Sequence, residues 1–205
     1  MKTNGILLAM AIFLVSSLSL FAQCKLTSGD LKVLKGQSSI NLKYDYSNLA
    51  VGKYKNEADY ITRRTADMNK HKPGSGDEWA GKWVDDRTSR FQPEFERSLN
   101  KELDRFHVMC KENATDAKYT LIVHTTFTEP GYNVGISNAR AFISVVVNLV
   151  ETANPSSIVA SMLMKKEISI NMMGYDFDTG GRIQSCYTRA GEELGACIIK
   201  NGIKK

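Results

Sequence analysis

Three stretches in the second half of the chain alternate apolar and polar residues with a period of two. Tyr119, Leu121, Val123, Thr125 and Phe127 make the first, and Ala141, Ile143, Val145, Val147 and Leu149 the second. Ile158, Ala160, Met162 and Met164, continued by Ile168, Ile170 and Met172, make the third. That period is the mark of a half-buried strand, because successive side chains point to opposite faces. The connections are a Glu129-Pro130-Gly131-Tyr132 turn with a flexible loop from Asn133 to Asn138, and an Asn154-to-Ser157 turn. Links this short favour antiparallel neighbours. Nearer the amino terminus, Ile40, Leu42, Tyr44 and Tyr46 alternate with Asn41, Lys43 and Asp45. Leu31 to Leu34 reads as a further short strand, with Gly36 to Ser39 turning a hairpin between the two.

Other segments repeat every three or four residues instead. A helix is expected after Asn56, with Glu57 and Asp59 in its first turn and Ile61, Thr65 and Met68 inward. It must stop by Lys72, because Pro73-Gly74-Ser75-Gly76 cannot continue it. A second helical region opens near Asp77, with Trp79 and Trp83 one turn apart. Phe91 starts a third, in which Pro93 takes a first-turn position and Phe95, Leu99, Leu103 and Phe106 form one stripe. The last helix runs from Arg182 to Lys200, burying Ile183, Cys186, Ala190, Leu194, Cys197 and Ile198. Its Gly191 and Gly195 would let the backbone approach the sheet closely. The pattern predicts an α+β domain, an antiparallel sheet of about five strands with helices packed mainly on one face.

The second faces of the strands are less polar than a face open to water usually is. Ile122, Phe142, Val146 and Val150 lie there among Thr120, His124, Thr126, Arg140, Ser144 and Asn148. The early helices are expected to cover part of this face. Whatever they leave open, with Glu129 and Tyr132 of the adjoining loop, is a candidate surface for an envelope protein partner or for a second copy of the chain.

Met1 to Asn4 carries one cation, and Gly5 to Phe21 is then almost unbroken apolar sequence ending in Ala22. A charged start, an apolar middle and a small residue at the end describe a secretory signal peptide, residues 1-22, ahead of one domain at 23-205. The expected compartment is periplasmic or extracellular. Processing at Cys24 is the rival: a thioether-linked lipid there would anchor the chain, and only then would a membrane be a partner. Gln23 stands where that route normally has Gly, Ala or Ser.

The net charge of +5 falls to +4 once the leader, with its single Lys, is removed, and the cations are scattered. Nucleic acid is therefore not an expected partner. Export permits disulfides among Cys24, Cys110, Cys186 and Cys197. In a helix, Cys186 and Cys197 would stand about 16 Å apart, beyond the roughly 7 Å that a bridge spans, so each would have to pair with Cys24 or Cys110. The simpler reading is that some of them are small buried apolar residues. No CxxC is present.

Candidate chemistry is sparse, and no cofactor is expected. Asp176-Phe177-Asp178-Thr179-Gly180-Gly181 has the opening rhythm of a calcium loop but no closing Glu, so a polar turn is the simpler reading. His71, His107 and His124 are not at metal-ligand spacing, and His107 with Cys110 makes one isolated i, i+3 pair. Trp79 and Trp83 with Tyr132 would suit stacking on a sugar or peptide, although aromatics one turn apart are more often core anchors. Asn113-Ala114-Thr115 is a glycosylation sequon. No nucleophile elbow, P-loop or strand-linked G-x-G-x-x-G occurs.

From Tyr119 to Lys200, Tyr119-Thr-Leu-Ile-Val123 precedes Glu129-Pro-Gly131, two long strands and a helix with Arg189-Ala-Gly191. That order resembles small periplasmic α/β domains, the amino-terminal domain of TolB and the core of curli-assembly lipoproteins. The resemblance implies a non-enzymatic envelope role in assembly, adaptor or binding duty. A hydrolase-type enzyme without a visible motif, or a small-ligand or metal carrier, is the alternative.

Overall fold

The alternation between Tyr119 and Ile168 builds the centre of a sheet in the computed structural model of the chain, which describes residues 24–134, 137–169 and 178–204. Nine strands are present among them: β1 (Lys25–Gly29), β2 (Ser39–Asp45), β3 (Ala50–Val51), β4 (Met109–Glu112), β5 (Tyr119–Glu129), β6 (Tyr132–Val134), β7 (Ser137–Ala139), β8 (Phe142–Glu151) and β9 (Asn154–Ile168). Seven form one sheet in the order β1-β9-β8-β5-β2-β4, with β3 also paired to β5, while β6 and β7 make a separate hairpin. Along β5, β8, β9 and β1, each strand is antiparallel to its neighbour. In contrast, β2 lies parallel to both β4 and β5, and β3 lies parallel to β5.

The sheet is therefore mixed and larger than the five antiparallel strands that the sequence predicts. The cause is the long excursion between β3 and β4. Three helices fill it, α1 (Glu57–His71), α2 (Ser75–Asp86) and α3 (Gln92–Leu103), and a crossover of that length returns the chain to the sheet in the parallel sense. Leu31 to Leu34 is a tight helical turn rather than a strand. The Asp30 carboxylate accepts from Lys32 N–H, Leu34 N–H bonds back to Leu31 O, and Leu31 and Leu34 are buried at a spacing of three. The expected Asn133-to-Asn138 loop contains the β6–β7 hairpin. Residues 170–172 of the third predicted strand lie outside the described residues.

Asn56 caps α1 by accepting from Asp59 N–H at 2.8 Å, as its sequence implies. Ile61, Thr65 and Met68 are only half-buried, because α1 packs on α2 at the margin rather than on the sheet. A π turn over Arg87–Phe91 carries α2 directly into α3, where Phe95, Leu99 and Leu103 are fully buried. The last helix, α4 (Thr179–Ile198), buries every residue predicted for its inner face. No described helix is long and apolar enough to cross a membrane.

The core is one continuous cluster. Leu121, Val123, Ile143, Val145, Val147, Leu149, Ala160 and Met162 of the sheet meet Phe95, Leu99, Ile183, Tyr187, Ala190 and Leu194 of α3 and α4. Gly191 and Gly195 of α4 serve the helix pair, not the sheet as expected. A Cβ on Gly191 would press on Ser98 Oγ and come within 2.6 Å of the Phe95 carbonyl, and one on Gly195 would come within 2.5 Å of Glu102 Cβ. Backbone contact between α3 and α4 brings the Ser98 hydroxyl into the core, where it donates to Phe95 O at 3.1 Å. Thr125 Oγ1 and Tyr187 Oη, 2.7 Å apart, satisfy each other across the sheet–helix boundary.

One buried acid is less well served. Glu167 on β9 is fully enclosed, neither carboxylate oxygen has a hydrogen bond, and Arg189 Nε is 3.9 Å away. Burial, reinforced by Glu193, raises its pKa to about 7 against the opposing pull of Arg189.

Two outcomes follow from this packing. Gly191→Val should destabilise the fold by about 1–3 kcal/mol through overpacking at the α3–α4 contact, read as a lower urea midpoint at unchanged m-value. Because the folded-state pKa of Glu167 is raised, the native chain holds the extra proton between its ordinary value and about 7, so stability falls as pH rises through that window. Glu167→Gln copies the protonated form and should flatten the decline by about 2 kcal/mol between pH 5 and pH 8, measured by urea unfolding of both proteins.

Candidate functional site

Because α3 and α4 cover only the Leu121–Val147 side of the sheet, the opposite side carries no helix among the described residues. Register decides what stands there. Across β5, β8 and β9, one row is His124, Val146 and Leu163, and the next is Ile122, Asn148 and Ser161. Toward the far end, Glu129, Phe142 and Ile168 make a third row. A bulge between Thr125 and Phe127 turns Phe127 onto this face, where its ring stacks on Phe142 at 5.4 Å. Ile122, Val146, Phe142, Phe127 and Leu163 are all half-buried, whereas their neighbours on the other face are sealed.

Polar groups on the face are largely fixed by internal bonds. Ser161 Oγ donates to Asn148 Oδ1 at 2.8 Å, and His124 Nε2 lies 2.7 Å from Ser47 O. Lys43 and Lys111 project from the parallel edge, and the Lys166 ammonium sits over the Phe142 ring at 5.3 Å. The result is a ridge of branched and aromatic side chains bordered by cations.

The structure thus places Ile122, Phe142 and Val146 together, with Glu129 directly opposite Phe142. Val150 shares the face but is only 1% exposed and lies outside the main core cluster, so it contributes no accessible surface. Tyr132, 48% exposed, stands apart on the β6–β7 hairpin, its hydroxyl 3.2 Å from Ser137 Oγ. Leu163 and Phe127 were not singled out by the sequence. Leu163 follows from the alternation of β9, but a bulge that redirects Phe127 has no clear signal in one sequence.

The aromatic pair forms a cluster instead of a free platform. Tyr60 packs against Trp79 and Trp83 with ring centres 5.6 and 5.0 Å away, and Trp83 Nε1 donates to Glu57 Oε1 at 2.7 Å. Glu57 also pairs with Arg87, which lies over the Tyr46 ring. Beside this cluster a groove of about 360 Å³ runs between α2 and the start of α4, lined by Trp79, Lys82, Asp85, Asp86, Arg90 and Asp178 among others. Arg90 bridges Asp86 at 3.1 Å and Asp178 at 2.8 Å. Burial pushes the Asp178 carboxyl up, but the Gly181 N–H and Arg90 outweigh it and hold the group below its ordinary value.

Asp178 is the N-cap of α4, accepting from Gly181 N–H, which is the polar-turn reading of the Asp-Gly motif. Asp176 and Phe177 lie outside the described residues. His107 is exposed in a left-handed turn after α3 while Cys110 is buried on β4, so the two do not share a helix face. Among the described residues, no group of three or more His, Cys, Asp or Glu side chains could hold a metal. All four cysteines are free thiols; Cys110 and Cys186 are fully buried at separate places in the core, and Cys24 and Cys197 meet.

No family model and no curated protein matches the chain. Among solved structures it is similar to the PelC dodecamer from Paraburkholderia phytofirmans, at 11% identity over 83% of this chain and 96% of that one, with a TM-score of 0.41. A DUF330 protein from Xanthomonas campestris matches at 12% identity over 78% and 83% of the two chains, with a TM-score of 0.38. A neuraminyllactose-binding hemagglutinin homolog from Helicobacter pylori matches at 14% identity over 85% and 87%, with a TM-score of 0.34. TM-scores below 0.5 assign neither family nor function, and the resemblance to TolB and curli-assembly domains is not shown by these matches.

Proposed function

We propose that the chain is an exported, non-enzymatic binding domain of the cell envelope, and that the bare sheet face docks another protein, a second copy of the chain included. The export half of this reading rests on the leader-like residues 1-22. The binding half rests on one observation: an apolar ridge of Ile122, Val146, Phe142, Phe127 and Leu163 lies open on a sheet whose other side is fully packed. Contiguous apolar surface rimmed by polar and charged groups is the usual character of a protein-binding patch. The Lys43, Lys111 and Lys166 border favours a partner surface with acidic groups at its rim.

A photo-crosslinking residue at Ile122 or Val146, in chain exported by living cells, tests this. Discrete adducts are expected from both positions and not from Lys101 on the exposed side of α3. Adding Phe142→Asp should lower the yield from Ile122 roughly tenfold, the loss of one central anchor. Equal yields from the sheet face and from Lys101, or none from the sheet face, would sink the proposal.

A further inference from the structure

Cys24 and Cys197 are 173 positions apart and in contact. Cys24 immediately precedes β1, the edge strand paired to β9, and Cys197 lies in the last turn of α4. The Cys197 thiol donates to Cys24 O at 3.6 Å. Asn201 Nδ2 stands 3.5 Å from Cys197 Sγ. Asn201 and Lys200 thus flank the sulfur that faces the Cys24 backbone. Both cysteines line a shallow depression of about 160 Å³ with Glu193, Ala196, Lys200 and Asn201. Cys24 is half-buried there and Cys197 is 4% exposed, whereas Cys110 and Cys186 are fully sealed.

We propose that Cys24 and Cys197 are a dithiol–disulfide pair, closed by exchange with an external disulfide, that fastens the amino-terminal edge strand to α4. Cys24, Asn201 and the charge of Lys200 lower the Cys197 pKa against the opposing effect of burial, while Cys197 and burial raise that of Cys24. One thiolate of the pair attacks one sulfur of the external disulfide, forming a mixed disulfide and releasing one thiol. The other thiol, losing its proton to the departing group, then attacks the first sulfur and releases the second thiol. Protein dithiol plus one external disulfide gives protein disulfide plus two thiols, with no other oxidant required.

The same geometry sets two fates of Cys24 against each other. A sulfur carrying a thioether lipid cannot enter a disulfide, so the pairing requires removal of the leader without lipidation. In that respect it rests on the export reading above, in its unlipidated form.

The test uses the wild-type chain, reduced, incubated with glutathione disulfide, quenched in acid, alkylated and peptide-mapped. The expected product is a linked pair of peptides containing Cys24 and Cys197, lighter by two hydrogens than the separate thiol peptides, with Cys110 and Cys186 alkylated. Oxidation should raise Tm by several degrees, because the bridge closes nearly the whole chain, and Cys24→Ser and Cys197→Ser should each abolish that rise. Four alkylated thiols at equilibrium, or a glutathione adduct persisting on Cys24 or Cys197 beside its free partner, would overturn the pairing whether or not the chain is exported. Mature protein carrying a lipid on Cys24 would uphold export and overturn the pairing.

Discussion

Backbone contact between α3 and α4 governs how this chain distributes its apolar surface. Gly191 and Gly195 let the two helices close to the point where Ser98, Phe95 and Glu102 leave no room for a Cβ. That closeness makes the pair a single slab which fits one face of the sheet. The side chains that β5, β8 and β9 give to the core cluster point toward the slab, while Val150 is buried on the other face. With α1 and α2 held at the margin by the Tyr60, Trp79 and Trp83 cluster, no described helix remains to shield the other face. The bare ridge through Val146 and Phe142 is a consequence of how the core closes.

Local pattern carried much of this fold. The alternation of β5, β8 and β9 shows in the sequence because each strand has one sealed face. The stripe of α3 and the inner face of α4 show for the corresponding reason at helical spacing. Pairing sense was not visible in β2, since parallel and antiparallel partners impose the same alternation on Ile40, Leu42 and Tyr44. Only the three helices that follow make it parallel. Leu31 and Leu34 misled as a strand, although their spacing of three already fits a tight turn. The edge strand β1 has mostly exposed side chains and so almost no pattern to read.

The candidate surface was legible to the same degree. Ile122, Phe142 and Val146 announced a mixed face by alternation alone. Burial of Val150 and the bulge that turns Phe127 outward depend on neighbours distant in sequence. The meeting of Cys24 with Cys197 lies further still from local reading: helical spacing removes the Cys186–Cys197 pair, but only the docking of β1 beside α4 selects a partner for Cys24. Glu167 is the opposite kind of surprise: alternation along β9 predicts Ile168 inward, but a register shift puts Glu167 opposite Ile143 and Ile168 opposite Phe142, and Arg189 answers the acid only at a distance.

The helices shield one side of the sheet, and among the described residues no helix shields the Ile122, Val146 and Leu163 part of the other. Methyl NMR of the dilute chain with a soluble, inert nitroxide reads both sides at once. Ile122, Val146 and Leu163 should broaden strongly while Val145, Val147 and Leu149 stay sharp. Equal protection of the two sets in a monomer would contradict the account.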